Sequence, residues 1–143
     1  MRIELPRGWS GRLFGRAGDI ATLHTANFPL PLHDGEFGDR STAAMHAGAS
    51  FAALTEYRPG PKLAGGAGLF AASRMPVPLD PAGFGRERLA HARPGQLGSQ
   101  HFFTLAGRPF CLYVVIAGGR SGRRRQLAEL NHVLASVHIA ARP

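Results

Sequence analysis

Lysine and cysteine each occur once in this chain, at Lys62 and Cys111, and no stretch approaches twenty consecutive apolar residues. A lone cysteine excludes an internal disulfide and a cysteine-built zinc cluster. Without a long apolar run no membrane-spanning helix is expected. The opening "MRIELPRGWSGR" (1–12) also has no apolar core of a secretory signal. A cytoplasmic location is the expectation. Charge is sparse too, at 18% of residues, while 44% are hydrophobic. Disorder needs the opposite balance, so a folded domain is expected.

With 143 residues, the chain reads as one globular domain, 1–143. A domain of that size buries roughly two thirds of its unfolded surface and needs neither disulfide nor metal to fold. Nineteen glycines and eleven prolines, scattered without a period, point to a loop-rich fold. Sixteen arginines and one lysine give a net charge of +8, which favours polyanions without naming one. Cys111 sits inside an apolar run and reads as a buried filler.

The coarse pattern is one of strands with helices inserted late. "RIEL" and "GWSGRLFGR" read as two short strands around a Pro-Gly turn, and 20–28 as a strand ending at Pro29. Residues 38–47 offer Asp39 or Ser41 as the cap of a two-turn helix. In 50–57, Phe51, Ala53, Thr55 and Tyr57 share one strand face and Leu54 takes the other. "RPGPKLAGGAG" is a loop, "LFAAS" a weak strand, and Asp80-Pro81 opens a helical turn. Two strands, 100–105 and 109–117, follow as a hairpin. The second is apolar on both faces, which marks a central strand rather than an edge.

After the basic loop "GGRSGRRR", the residues Leu127, Leu130, Leu134 and Val137 fall at spacings of three, four and three. That is one stripe of an amphipathic helix over 123–138, packed across the sheet. The fold class expected is α+β: a twisted antiparallel sheet, the long C-terminal helix on one face and short helices elsewhere.

Two segments resemble a known family. "IELPRGWSGR" (3–12) is similar to the openings of PsbP-like proteins, where a strand runs through Leu-Pro and Gly-Trp into a second strand. "GRPFCLYVVIAG" with "LAELNHVLASVHI" (107–118 and 127–139) resembles that fold's closing strand and long helix. The resemblance covers about a third of the chain. It implies an antiparallel sheet sandwiched by helices, and binding or adaptor roles: photosystem assembly subunits, transport-factor partners, lipoproteins and secretion-effector chaperones. Fold alone assigns no chemistry.

Three candidate regions emerge from the residues themselves. In "HTANFPLPLHDGEFGD" (24–39), His24, His33, Asp34, Glu36 and Asp39 are possible metal ligands. Their spacing fits neither a zinc-protease helix nor a calcium loop. A polar turn on Asp34-Gly35, with Asp39 capping the next helix, is the preferred reading, and no metal or cofactor is expected. Ser41, Ser50, Ser73 and Ser99 stand in no nucleophile elbow, and the sequence pairs none of them with a base. No catalytic residue is therefore assigned.

"RSGRRR" supplies Arg120, Arg123, Arg124 and Arg125, with Arg108 on the neighbouring hairpin, as an anion-binding or nucleic-acid-binding candidate. No stacking aromatics accompany these arginines. "FPLPL" and "RMPVPLDP" present Phe28, Leu30, Leu32, Val77 and Leu79 on proline-stiffened segments. These five residues are the expected protein interface.

The function expected is a non-catalytic, protein-binding adaptor, chaperone-like or assembly subunit. Its partner would be another protein, a larger assembly or a second copy of the chain. The alternatives are a polyanion binder using the arginines and a small metal-dependent enzyme centred on 24–39. The non-catalytic expectation supposes that no polar hollow gathers His24, His33 and Glu36.

Overall fold

A computed structural model describes residues 1–15, 21–59 and 66–141. Five antiparallel strands form one sheet: β1 (Ser10–Phe14), β2 (Thr22–Ala26), β3 (Ser50–Glu56), β4 (Gln96–Leu105) and β5 (Arg108–Ala117). Their spatial order is β1-β2-β3-β5-β4. The final hairpin is thus inserted with β5 inside and β4 at the rim. A short helix α1 (Asp39–Ala43) and a long helix α2 (Arg120–Ala135) complete the α+β architecture.

Strand alternation decides what each face carries. On one face Leu23, Leu54, Leu112, Val114 and Ile116 meet Leu127, Leu130 and Leu134 of α2 in a single buried cluster. On the other, Phe51, Ala53, Tyr113 and Val115 join Phe28, Leu30 and Ala49, with Phe37, Met45 and Leu89 packed beside them. Every residue of β5 from Pro109 to Ala117 is buried. That is the two-sided cover its apolar alternation required.

Several boundaries differ from the sequence reading, each for a local reason. Helix α2 begins at Arg120 and takes in the basic run, because arginine is a good helix former and Gly119 supplies an extended N-cap. It ends at Ala135, where the Ser136 N–H bonds the Val133 carbonyl; His138 then forms a bridge with Arg2. That bridge is all that "RIEL" contributes to strand pairing. "LFAAS" is a 3-10 turn at Gly68–Phe70, held to β4 by Thr104, whose N–H reaches the Ala72 carbonyl at 2.7 Å. Asp80 does cap its turn, accepting from the Ala82 N–H at 2.9 Å. Ile20 and most of "RPGPKLAGGAG" lie outside the described residues.

Helix α1 is shorter than expected and is capped differently. Its N-cap is Gly38, in the left-handed region at φ 68°, and neither Asp39 nor Ser41 caps it with a side chain. The capping carboxylate belongs to Asp34, one turn earlier. It accepts from the N–H groups of Gly35, Arg40 and Ser41 at 2.8–3.0 Å, and from the Ser41 hydroxyl. The loop 34–38 is thereby pinned to α1, and its outer side faces the end of the sheet.

Candidate functional site

The face of the sheet opposite α2 is not closed along its whole length. Between the ends of β1, β2 and β3 and the 33–36 loop lies a hollow of about 630 Å³. Strand register brings its floor together. Thr22 pairs with Thr55, and His24 with Ala53, so Thr22, His24 and Thr55 project on the same side as Phe51. Phe14 forms the β1 wall, and Tyr57, just past the end of β3, forms the far wall. His33, Asp34 and Glu36 make the rim. A polar hollow gathering His24, His33 and Glu36 therefore exists, contrary to the supposition behind the non-catalytic expectation. Whether it turns over a substrate depends on the chemistry of its residues.

His24 is wholly buried, with 0% of its surface exposed. Its ring lies edge-on to Phe14 at 4.8 Å and to Phe51 at 5.0 Å. Nε2 is 3.1 Å from the Glu36 carbonyl oxygen, which can only accept, so the proton sits on Nε2 and donates there. Nδ1 then carries a lone pair that is buried and has no partner among the described residues. Burial pushes the His24 pKa down, more strongly than the Glu36 carbonyl and the nearby Asp34 charge raise it. The ring is neutral at pH 7.

The rim is tied to the wall by one hydrogen bond. The Tyr57 hydroxyl donates to Glu36 Oε1 at 2.6 Å. Burial, then this bond to a carboxylate, holds the Tyr57 pKa far above the ordinary phenol value. Burial works against ionisation of Asp34, but the bonds from Ser41, Arg40 and Gly35 outweigh it and leave its pKa lowered. Cys111 lies on the same face, one strand further in, with its thiol pushed up to about 12 by burial. The chemistry is consistent throughout: a neutral imidazole with its N–H committed, a protonated phenol, a protonated thiol and two carboxylates. The hydroxyl beside a base at the hollow, Tyr57 with Glu36, has its pKa raised rather than lowered by that bond.

The five possible ligands do not converge as a metal set. Among the described residues no three His, Cys, Asp or Glu side chains are placed to hold one ion. The Asp34 carboxylate is occupied by α1, and Asp39 pairs instead with His91 at 3.0 Å. One serine does have a base beside it, which the sequence reading missed. Ser99 and His101 alternate onto one face of β4, and Ser99 Oγ lies 2.6 Å from His101 Nε2. The Ser-x-His spacing on a strand was the available signal. Ser99 is 0% exposed beneath the 81–85 turn, so no substrate reaches its oxygen in this fold.

Of the five interface candidates, three are buried in the core and a fourth, Val77, is partly buried against it. Phe28 and Leu30 close the second core cluster, while Leu79 is buried and Val77 packed against the α2 cluster. Only Leu32 projects, at 72% exposure. The arginine set is also divided. Arg108 stands apart from the basic run, forked onto the buried Glu56 carboxylate at 2.8 and 2.6 Å and donating to the Ala140 carbonyl at 2.8 Å. Arg125 pairs with Glu129 at 3.0 Å. Arg120, Arg123 and Arg124 stand in the first turns of α2, where cations oppose the helix dipole.

The buried His24 and the half-buried His101 make stability depend on pH. Burial lowers the pKa of both His24 and His101, with the Arg88 charge adding to the shift at His101. Below 6.5 the unfolded chain takes up protons that the folded chain does not, so the unfolded state gains. Stability should hold above pH 6.5 and fall by up to about 1.4 kcal/mol per pH unit per group below it. Urea unfolding at pH 7.5 and 5.5 measures the loss, which His24→Gln should reduce.

No family model, curated protein or solved structure matches the chain. Among the described residues no helix is long and apolar enough to cross a membrane.

Proposed function

We propose that this chain is a non-catalytic binding module that takes hold of a partner protein at the hollow and along the adjoining β1 edge. The observation that carries this is the state of the hollow's own groups. The His24 imidazole and the Tyr57 phenol both have their protons committed to Glu36, whereas Leu32 beside the rim and Leu13 on β1 are exposed. β1 is an outer strand of the sheet. Leu13 on it is 58% exposed, and Leu32, next to the rim residue His33, is 72% exposed. The other outer strand, β4, is covered by pairing of Gly98 with Gly85 and by Ala72. An outer strand that pairs on one side only among the described residues, with an exposed leucine on it, suits an extended segment of a partner. The resemblance of both chain ends to PsbP-like domains supports an adaptor role.

Introducing a negative charge at each of the two exposed leucines tests it. Leu13→Glu with Leu32→Glu removes no core contact, so stability should change by no more than about 0.5 kcal/mol. Partners retained by the immobilised wild-type chain and identified by mass spectrometry should be lost by the double variant. Retention of the same partners by the variant would place the interface elsewhere.

A further inference from the structure

The hollow is electrostatically at odds with the rest of the protein. The chain carries seventeen Lys and Arg against nine Asp and Glu, net +8. Yet the hollow is lined by two carboxylates, Asp34 and Glu36, and among the described residues by no lysine or arginine. Asp34 is occupied by the α1 backbone. Glu36 is not: among the described residues no Lys, Arg or His forms an ion pair with it, and its contact is the Tyr57 hydroxyl.

Of the remaining polar groups, which include Thr22, Thr55 and His33, two share one character. The His24 proton is directed at the Glu36 carbonyl, so Nδ1 can only accept, and it is buried with no partner among the described residues. The Tyr57 proton is directed at Glu36. The Glu36 carboxylate and the Tyr57 oxygen thus both accept, and the Phe14 and Tyr57 rings line the hollow beside them. A guest that satisfies acceptors, neutralises a carboxylate and tolerates aromatic walls is a cation with several N–H donors.

We infer that the hollow is a receptor for a primary ammonium group on an aliphatic stem, with Glu36 as its counter-ion and Phe14 and Tyr57 as its aromatic walls. This deepens the binding reading of the same site. A lysine side chain of a docked partner and a free alkylamine present the same chemistry. Affinity for an isolated amine should be modest, with a dissociation constant on the order of millimolar, because an exposed carboxylate attracts a cation weakly.

The test is a ¹H–¹⁵N correlation titration of the full chain at pH 7 with n-butylamine and with Nα-acetyl-lysine methylamide. n-Butanol and butyrate serve as neutral and anionic controls. Saturating shifts confined to 22–24, 33–36 and 55–57 with the amines, and absent with the controls, are expected. Glu36→Gln should weaken amine binding about tenfold. Tyr57→Phe, which keeps the ring but frees Glu36, should weaken it less. Tighter binding of the lysine derivative points to a partner's side chain, and tighter binding of butylamine to a free amine. Butyrate binding as well as the amines, or amine shifts that never saturate, would overturn the inference. If amine binding fails while the leucine variants still lose their partners, the ammonium assignment falls and the binding reading stands. Amine binding with partner capture unaffected by those variants would leave the ammonium site and remove the β1-edge interface.

Discussion

Replacing Gly38 by alanine is expected to lower the free energy of unfolding by about 3–5 kcal/mol. Two effects add. Gly38 holds φ at 68°, a conformation that costs an L-residue about 1–2 kcal/mol. A β-carbon there would also collide with Phe51 Cζ and lie 2.7 Å from Cε1. Phe51 is fully buried and its ring abuts His24, so it cannot retreat without moving the floor of the hollow. Gly48→Ala is the control. Its φ is 90° but no atom lies within 4 Å of the added carbon, so it carries the conformational cost alone. Denaturant unfolding of both variants separates strain from collision, and equal losses would show that Phe51 yields freely.

The second large effect belongs to the other face. Leu130 of α2 is 0% exposed, midway along the stripe that meets Leu54 and Leu112. Leu130→Ala should cost about 2–5 kcal/mol, from lost burial and from the cavity left behind. The denaturant dependence should keep its slope and shift its midpoint, since the folded and unfolded surfaces hardly change. Because the sheet separates Leu130 from the hollow, binding measured well below the unfolding transition should be unaltered. A large binding loss with the fold intact would mean that the two faces are coupled.

What the residues disclosed in advance follows from how local each signal is. The closing hairpin and α2 were readable because Phe110, Leu112, Val114 and Ile116 alternate strictly, and Leu127, Leu130 and Leu134 repeat at helical spacing. The start of α2 was not. Gly119, Gly122 and a run of like charge look like a loop, although arginines extend a helix well. The turn expected on Asp34-Gly35 lies one step on, at 35–38, where the Gly38 N–H bonds the Gly35 carbonyl at 3.0 Å. The task of Asp34, capping a helix six and seven residues on, depends on how the turn folds back.

The hollow was legible only in part. His24, His33 and Glu36 stood out by residue type, but their assembly needed the register of β2 on β3 and a bond from Tyr57, twenty-one residues from Glu36. Arg108 illustrates the opposite error. Grouped with the basic run as a residue of the neighbouring hairpin turn, it is bound instead to Glu56, fifty-two positions away. Proline-spaced apolar segments looked like an interface because sequence shows stiffness but not direction. Phe28, Leu30 and Leu79 point inward and Leu32 outward.

Amide hydrogen exchange, measured on the chain alone and then bound to a partner it captures, tests the binding account most directly. Protection should appear at 10–15, 22–24 and 32–37, and the exchange of α2 should not change. Protection centred on 120–125, or none along β1 and the loop beside His24, would contradict it.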